Sequence, residues 1–308
     1  MLGKTILVTG ATGLQGGGVA SHLLAGGRYA VRCLTRKPQS ESAAALGRAG
    51  AEIVAGDLED PASLRAAMKG CYGVFGVTNW WEHFDREYPQ GKNLVDAVAA
   101  SGVEHFIFST LPSAAKATHG QLEVPHLESK ARLEEYARGL GLHATYVHVA
   151  FYFENFLNFF PPRRLGDGSF VFGFPQGDAP LAAVAVEDAG GVVAALFNRG
   201  AEYRNRTVTV AGDELTCDDY AATMTRLTGE RIAFQNIPRD AFAALGFPGA
   251  EELADMFEFF RRFVPSRRPQ IEECRMLYPG IRTFETWLEA NCERFRGVLR
   301  ANAGAGAA

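Results

Sequence analysis

Apolar and polar positions follow two rhythms along the first half of the chain: short apolar runs, and longer stretches with a helical period between them. Lys4 to Val19 reads as a buried strand, a glycine-rich turn and the start of a helix. Further strands are expected over Ala30–Thr35, Ala51–Ala55, Tyr72–Thr78, His105–Thr110 and Gly141–Ala150. Helices are expected from Asp60-Pro61, which have the form of an N-cap and first position, over Pro89–Ala100, and from Pro125 to Tyr136. Strand and helix in alternation, joined by right-handed crossovers, predict an α/β fold with a Rossmann-type, doubly wound parallel sheet.

Beyond Phe151 the rhythm changes, and a smaller α+β C-terminal lobe is expected. Phe170, Phe172 and Phe174 alternate at period two, as on a strand with one apolar face. Helices are expected from Val186 to Phe197, Cys217 to Leu227, Glu251 to Phe263 and Thr283 to Phe295, and short strands over Arg206–Val210 and Arg231–Gln235. Met256, Phe257, Phe260 and Phe263 fall near one helix face, as lobe core or as the roof of a pocket. The resulting division is residues 1–150 for the dinucleotide-binding sheet and 151–300 for the lobe, with some segments returning to the sheet. The Ala-Gly-rich tail, 301–308, is expected to be disordered.

Gly10, Gly13 and Gly16 give the turn its chemistry. They provide a tight bend, close backbone approach to a pyrophosphate and close helix packing, with the diphosphate on the helix N-terminus. The second strand ends in Arg36-Lys37-Pro38, about 20 residues beyond the last glycine, where an NAD site carries Asp or Glu for the ribose hydroxyl. A guanidinium there grips a 2'-phosphate instead, which predicts NADP(H); a solvated basic loop has the same composition. Asp57, followed by Leu58, either contacts the adenine amino group or serves as a turn residue. Thr78 and Asn79 lie at the end of the fourth strand, where ligands of open α/β sheets collect, and the adjacent Trp80 and Trp81 suit a pocket lid.

Composition narrows the class. Of 308 residues, 47% are hydrophobic and 21% charged, which excludes a disordered or fibrous chain. A net charge of -4 argues against direct nucleic-acid binding. No apolar run approaches the ~18 residues of a membrane span, and the first strand begins too early for a signal peptide, so a cytoplasmic protein is expected. Five dispersed cysteines and seven histidines form neither C-x-x-C nor H-E-x-x-H, and no metal is expected. Arg261-Arg262 and Arg267-Arg268 bracket Pro265 as a solvated hinge, offset by Glu251, Glu252, Asp255 and Glu258.

Taken together, Gly10-Ala11-Thr12-Gly13-Leu14-Gln15-Gly16-Gly17, Thr35-Arg36-Lys37-Pro38, Val77-Thr78-Asn79, Lys130 with Glu134-Glu135-Tyr136, Tyr152-Phe153-Glu154-Asn155 and Gly246-Phe247-Pro248-Gly249-Ala250 resemble the NmrA-like family of atypical short-chain dehydrogenase/reductases, redox-sensor members included. The resemblance implies that Gly10, Thr12, Gly13, Leu14, Gln15 and Gly16 hold the diphosphate and that Arg36 and Lys37 hold the 2'-phosphate. It further implies that Thr78 and Asn79 face the cofactor, that Lys130 meets the nicotinamide ribose, and that Tyr152, Phe153 and Asn155 lie beside the nicotinamide.

One departure concerns catalysis. Ordinary short-chain dehydrogenases carry Tyr-x-x-x-Lys, and here His126 stands at the tyrosine position, four residues before Lys130. The positive end of the helix and Lys130 would hold its imidazole neutral, a poor acid that still donates one hydrogen bond. His126, Lys130 and Tyr152 are therefore the catalytic candidates, Tyr152 being the alternative proton source. Two functions follow. One is NADPH-dependent reduction of a small, flat, apolar acceptor (quinone, imine, activated alkene or carbonyl) stacked among Trp80, Trp81, Tyr152 and Phe153. The other is a non-catalytic NADP(H)-responsive regulator acting through a protein partner or a homodimer.

Overall fold

The computed structural model describes residues 3–304. Six parallel strands, β1 (Thr5–Val8), β2 (Ala30–Thr35), β3 (Glu52–Ala55), β4 (Gly73–Gly76), β5 (His105–Thr110) and β6 (Ala144–Val149), form one sheet with Thr207–Val210. Their spatial order is β3-β2-β1-β4-β5-β6 followed by Thr207–Val210, every neighbouring pair being parallel. The order reverses between β1 and β4, and a crevice forms outside the strand ends at such a reversal.

Alternation along β1 sends side chains to two cores. Ile6 and Val8 bury against Val19, Leu23, Val192 and Leu196 of the helices Leu14–Gly26 and Val186–Arg199, while Leu7 faces Leu64, Leu94 and Val95 on the other side. The helices Leu14–Gly26 and Val186–Arg199 touch backbone to backbone, since a Cβ on Gly190 would lie 2.3 Å from the Gly18 carbonyl carbon. Thus the helix Val186–Arg199 and the strand Thr207–Val210, late in the chain, pack on the sheet domain.

The lobe is built on two three-stranded sheets: Asp213–Leu215, Leu181–Val184 and Phe151–Tyr152 in one, and Ile232–Asn236, Phe170–Phe174 and Arg163–Arg164 in the other. Phe170, Phe172 and Phe174 are all buried, as their period requires, in an aromatic core with Phe153, Phe156, Tyr220, Phe257 and Trp287. The helix Ala250–Phe263 borders this core. A helix over Arg268–Leu277, begun by Pro269, was not legible in the apolar pattern. The closing helix spans Phe284–Gly304, so the expected tail overlaps it at residues 301–304, and the rest of that tail lies outside the described residues. All five cysteines are free; burial pushes the Cys33 thiol up to about 12, which keeps it unreactive.

Candidate functional site

The crevice at the sheet's reversal is a cleft of about 1450 Å³, closed on its far side by the lobe. Pockets for one small ligand measure roughly 300–1,000 Å³, so this cleft is larger than such a pocket and has room for more than one small molecule.

At one end stands the glycine turn. Gly10 has φ +58°, the left-handed region, and a Cβ there would meet Val77 Cγ1 at 2.8 Å. A Cβ on Gly16 would lie 2.3 Å from the Gly10 carbonyl oxygen, so the helix seats on the turn only with glycine. Gly13 caps the helix without a side chain, and no acidic side chain stands in the first turn. The Gly13 N–H is taken by the Gly10 carbonyl at 2.9 Å, so it is the first-turn N–H groups of Leu14, Gln15 and Gly16, with the positive dipole end, that are left for the cleft. Arg36 and Lys37 line the same end. Arg36 is ion-paired with Glu82, whose carboxyl is held below the usual range by that hydrogen bond. Asp57 Oδ1 accepts the Glu59 N–H at 2.9 Å, the turn role, and Asp57 also lines the cleft beside Leu58.

In the middle, Lys130 Nζ donates to Thr78 O at 3.1 Å, to Thr78 Oγ1 at 2.9 Å and to Glu87 Oε1. An ammonium has three protons, and all three are engaged. Glu87 is fully buried and its Oε2 has no hydrogen-bond partner, so the Lys130 charge is what compensates it. Across the cleft the Gln15 amide donates to the Tyr152 hydroxyl. Burial pushes the Tyr152 phenol up to about 12, which makes it a weak acid.

The other end is aromatic. Phe151, Phe159, Phe160, Phe172, Phe242, Phe247 and Phe260 line it with Leu253 and Met256. Its apolar character continues to the mouth, where Leu14 (59% exposed), Phe159 (64%) and Leu245 (58%) stand in solvent. His126 opens onto this end in the first turn of the helix Pro125–Gly139. Glu252, from the lobe helix, accepts both the His126 backbone N–H at 2.8 Å and Nδ1 at 2.6 Å, and its second oxygen accepts Trp80 Nε1 at 3.3 Å. The Trp81 ring lies 5.4 Å from the imidazole, and Gly249, at φ +84°, makes room for it: a Cβ there would be 2.9 Å from Trp81 Cζ3.

The cleft thus gathers Gly10, Thr12, Gly13, Leu14, Gln15, Gly16, Arg36, Lys37, Asp57, Leu58, Thr78, Asn79, His126, Lys130, Tyr152 and Asn155. Phe153 is not among them. It is fully buried in the lobe core, with ring centroids 5.2 Å from Phe284 and 5.5 Å from Trp287, because the chain after Tyr152 turns inward. Trp80 also points away from the cleft, toward Glu252 and Phe84, so of the four expected stacking rings only Trp81 and Tyr152 line it. Met256 and Phe260 reach the cleft while Phe257 is buried, so their helix serves as both core and roof. Sequence reasoning missed Glu82, Glu87 and Glu252. Glu252 was assigned to balance the arginine pairs, a role that only Glu258 fills, at Arg261 and Arg262. Glu251 and Asp255 pair with Arg239 instead. The carboxylate against His126 also replaces the Lys130 charge as its nearest electrostatic neighbour. The expected hinge is only partly solvated, since the Arg267 backbone N–H is held by Glu214.

Among the described residues no helix is long and apolar enough to cross a membrane, and no group of three His, Cys, Asp or Glu is placed to hold a metal ion.

Sheet order, glycine turn and crevice define a Rossmann-type protein of the dinucleotide-binding class. The sequence profile of the NmrA-like family matches residues 3–288, and the chain belongs to that family. It is 34% identical over 274 residues to the NmrA-like family domain-containing oxidoreductase hkm9 of Aspergillus hancockii, covering 82% of each chain. Among solved structures, NmrA, a negative transcriptional regulator in complex with NADP, superposes with TM-score 0.82 at 24% identity, covering 98% of both chains. The NADPH-dependent quinone oxidoreductase QOR2 of Escherichia coli, complexed with NADPH, gives 0.78 at 23% identity, covering 92% of this chain and 99% of the other.

Proposed function

We propose that this protein is an NADPH-dependent reductase of a flat, apolar acceptor such as a quinone, imine, activated alkene or carbonyl compound. The observation that carries the proposal is the two-ended cleft, with a glycine turn suited to an anion at one end and a predominantly aromatic chamber at the other. The turn fits a dinucleotide because glycine at 10 and 16 lets the helix seat directly on the turn, which brings its first-turn N–H groups to the cleft. Gly10, Gly13 and Gly16 would hold the diphosphate, Arg36 and Lys37 the 2'-phosphate, and Thr78, Tyr152 and Asn155 the reduced end. When bound, the reduced nicotinamide supplies the hydride. The chain's own residues orient the two reactants and exclude water. Lys130 holds the end of β4 in place through Thr78, which sets where the ribose rests.

The names of relatives support this reading: one of them is called an oxidoreductase, another an NADPH-dependent quinone oxidoreductase. The test is NADPH oxidation by the pure protein over a panel of quinones, imines and aldehydes. Reduction of at least one flat acceptor, with NADPH preferred to NADH, is the expected result; equal affinity for the two cofactors overturns the NADP(H) assignment. His126 in place of the usual tyrosine favours a second reading, a regulator that responds to NADP(H) through a protein partner. That reading expects no acceptor to be reduced, together with different protease sensitivity in NADPH and in NADP+.

A further inference from the structure

Reduction of a neutral quinone or carbonyl adds a hydride to one atom and a proton to another, and the proton needs a source. Tyr152 is poorly suited: its hydroxyl only accepts the Gln15 amide, and burial outweighs that bond and leaves the phenol a weak acid. His126 is differently placed. Its Nδ1 is bound to Glu252 at 2.6 Å, and among the described residues its Nε2 has no protein partner, on a ring that lines the aromatic end of the cleft. A carboxylate only accepts hydrogen bonds, so it fixes the proton on Nδ1 and leaves Nε2 as the nitrogen that faces the acceptor. The other charge nearby, Lys130, is turned to Glu87 and Thr78.

We infer that Glu252 is a positioning residue that presents His126 Nε2 to the acceptor, and that His126 delivers the proton. This rests on the reductase reading above. With Glu252 offsetting the charge on the ring, Nε2 first takes a proton from solvent; as the hydride reaches the acceptor, that Nε2–H bond breaks and an O–H or N–H bond forms on the acceptor. The neutral imidazole keeps its Nδ1–H on Glu252 and regains a proton from solvent at the open mouth. Because Glu252 belongs to the lobe helix Ala250–Phe263 and His126 to the sheet domain, the proton donor is set only when lobe and sheet are docked. Trp81 packs against the same ring and Trp80 holds the second carboxylate oxygen, so the tryptophans act through this pair.

The test compares two acceptors in the NADPH-loaded protein. One is a neutral quinone, which needs hydride and proton. The other is a cationic acceptor, an iminium or triarylmethyl cation, which hydride alone converts to a neutral product. His126→Asn keeps a donor near Glu252 yet removes Nε2, and Glu252→Ala removes the positioning carboxylate. Both should lower kcat for the quinone about 10²-fold or more, with the KM for NADPH and the rate on the cation unchanged. Equal slowing on both acceptors means that Glu252 only holds the lobe in place, and no slowing on the quinone means that the proton comes from elsewhere; either overturns the proposal. A second arm needs no cofactor. Nitrogen NMR of the His126 imidazole in the free protein should show a proton on Nδ1 that Glu252→Ala releases to fast exchange, and a bare Nδ1 in the parent protein overturns the positioning role. A parent protein that reduces neither acceptor defeats the reductase reading itself, and the proton-delivery role with it, while the NMR arm still decides the positioning.

Discussion

At the glycine end of the cleft the groups that line it are main-chain N–H donors and two basic side chains, brought together by a turn and the end of the next strand. At the aromatic end they are side chains from three distant stretches, and the contact that organises them joins residues 126 apart in sequence. The first end is shaped by backbone geometry suited to an anion, which short motifs encode. The second is an apolar surface made by packing between lobe and sheet, which no short motif encodes. Lys130 lies where the two meet, and its ion pair with Glu87 serves the scaffold under both.

That division is tested most severely at Lys130. Removing the cation leaves a fully buried carboxylate uncompensated, so Lys130→Met should cost about 3–5 kcal/mol in denaturant unfolding, and adding Glu87→Gln should recover part of it. A variant that unfolds at the parent's midpoint would show that the pair carries no structural weight and that Lys130 belongs to the binding site alone.

Next in size is Arg36. Losing a charge-assisted phosphate contact should weaken NADPH binding by about 1.5–3 kcal/mol in Arg36→Ala. Calorimetry should find NADH affinity and the acceptor KM unmoved. A matching loss for NADH would mean that Arg36 shapes the turn and does not read the 2'-phosphate.

The same contrast explains what was legible in the sequence. The parallel sheet, the glycine turn and the basic end of β2 could be read because strand period, turn geometry and phosphate chemistry are local. Glu252 and Glu87 could not, because a charged residue on a helix looks solvated until its long-range partner is known, and their partners lie 126 and 43 residues away. Phe153 was misplaced for a related reason. Tyr152 ends the strand Phe151–Tyr152 and Phe153 begins the turn after it, so the chain bends between them and sends one ring to the cleft and the next to the core. The aromatic composition of that segment was readable; which ring faces the ligand depended on the lobe strands that it joins.

The roof of the aromatic end supplies the third test. Phe260→Ala trims a ring that lines the cleft and is only partly buried, so the fold should survive. The acceptor KM should rise by the equivalent of about 0.5–1.5 kcal/mol, the value of an aromatic contact, with NADPH affinity unchanged. A change in NADPH affinity instead would place the cofactor, not the acceptor, under that roof.

The smallest effect, and the sharpest on whether the two ends are independent, is at Glu82. Its carboxylate holds the Arg36 guanidinium, so under the proposed function a 2'-phosphate would have to compete with it for one cation. Both partners are about half exposed, and an exposed ion pair is worth about 0.2–1 kcal/mol, so Glu82→Gln should tighten NADPH binding by no more than that and leave NADH unaffected. Salt should erode the gain, because at about 0.15 M ionic strength the screening length is only about 8 Å. The same short helix, Trp80–His83, also carries Trp81 against His126 and Trp80 against Glu252. If the ends are independent, the acceptor KM of Glu82→Gln equals that of the parent, because those contacts are made by other side chains of the helix. A KM that moves together with NADPH affinity would show that release of Arg36 shifts the helix, and would replace two separate ends with one coupled site.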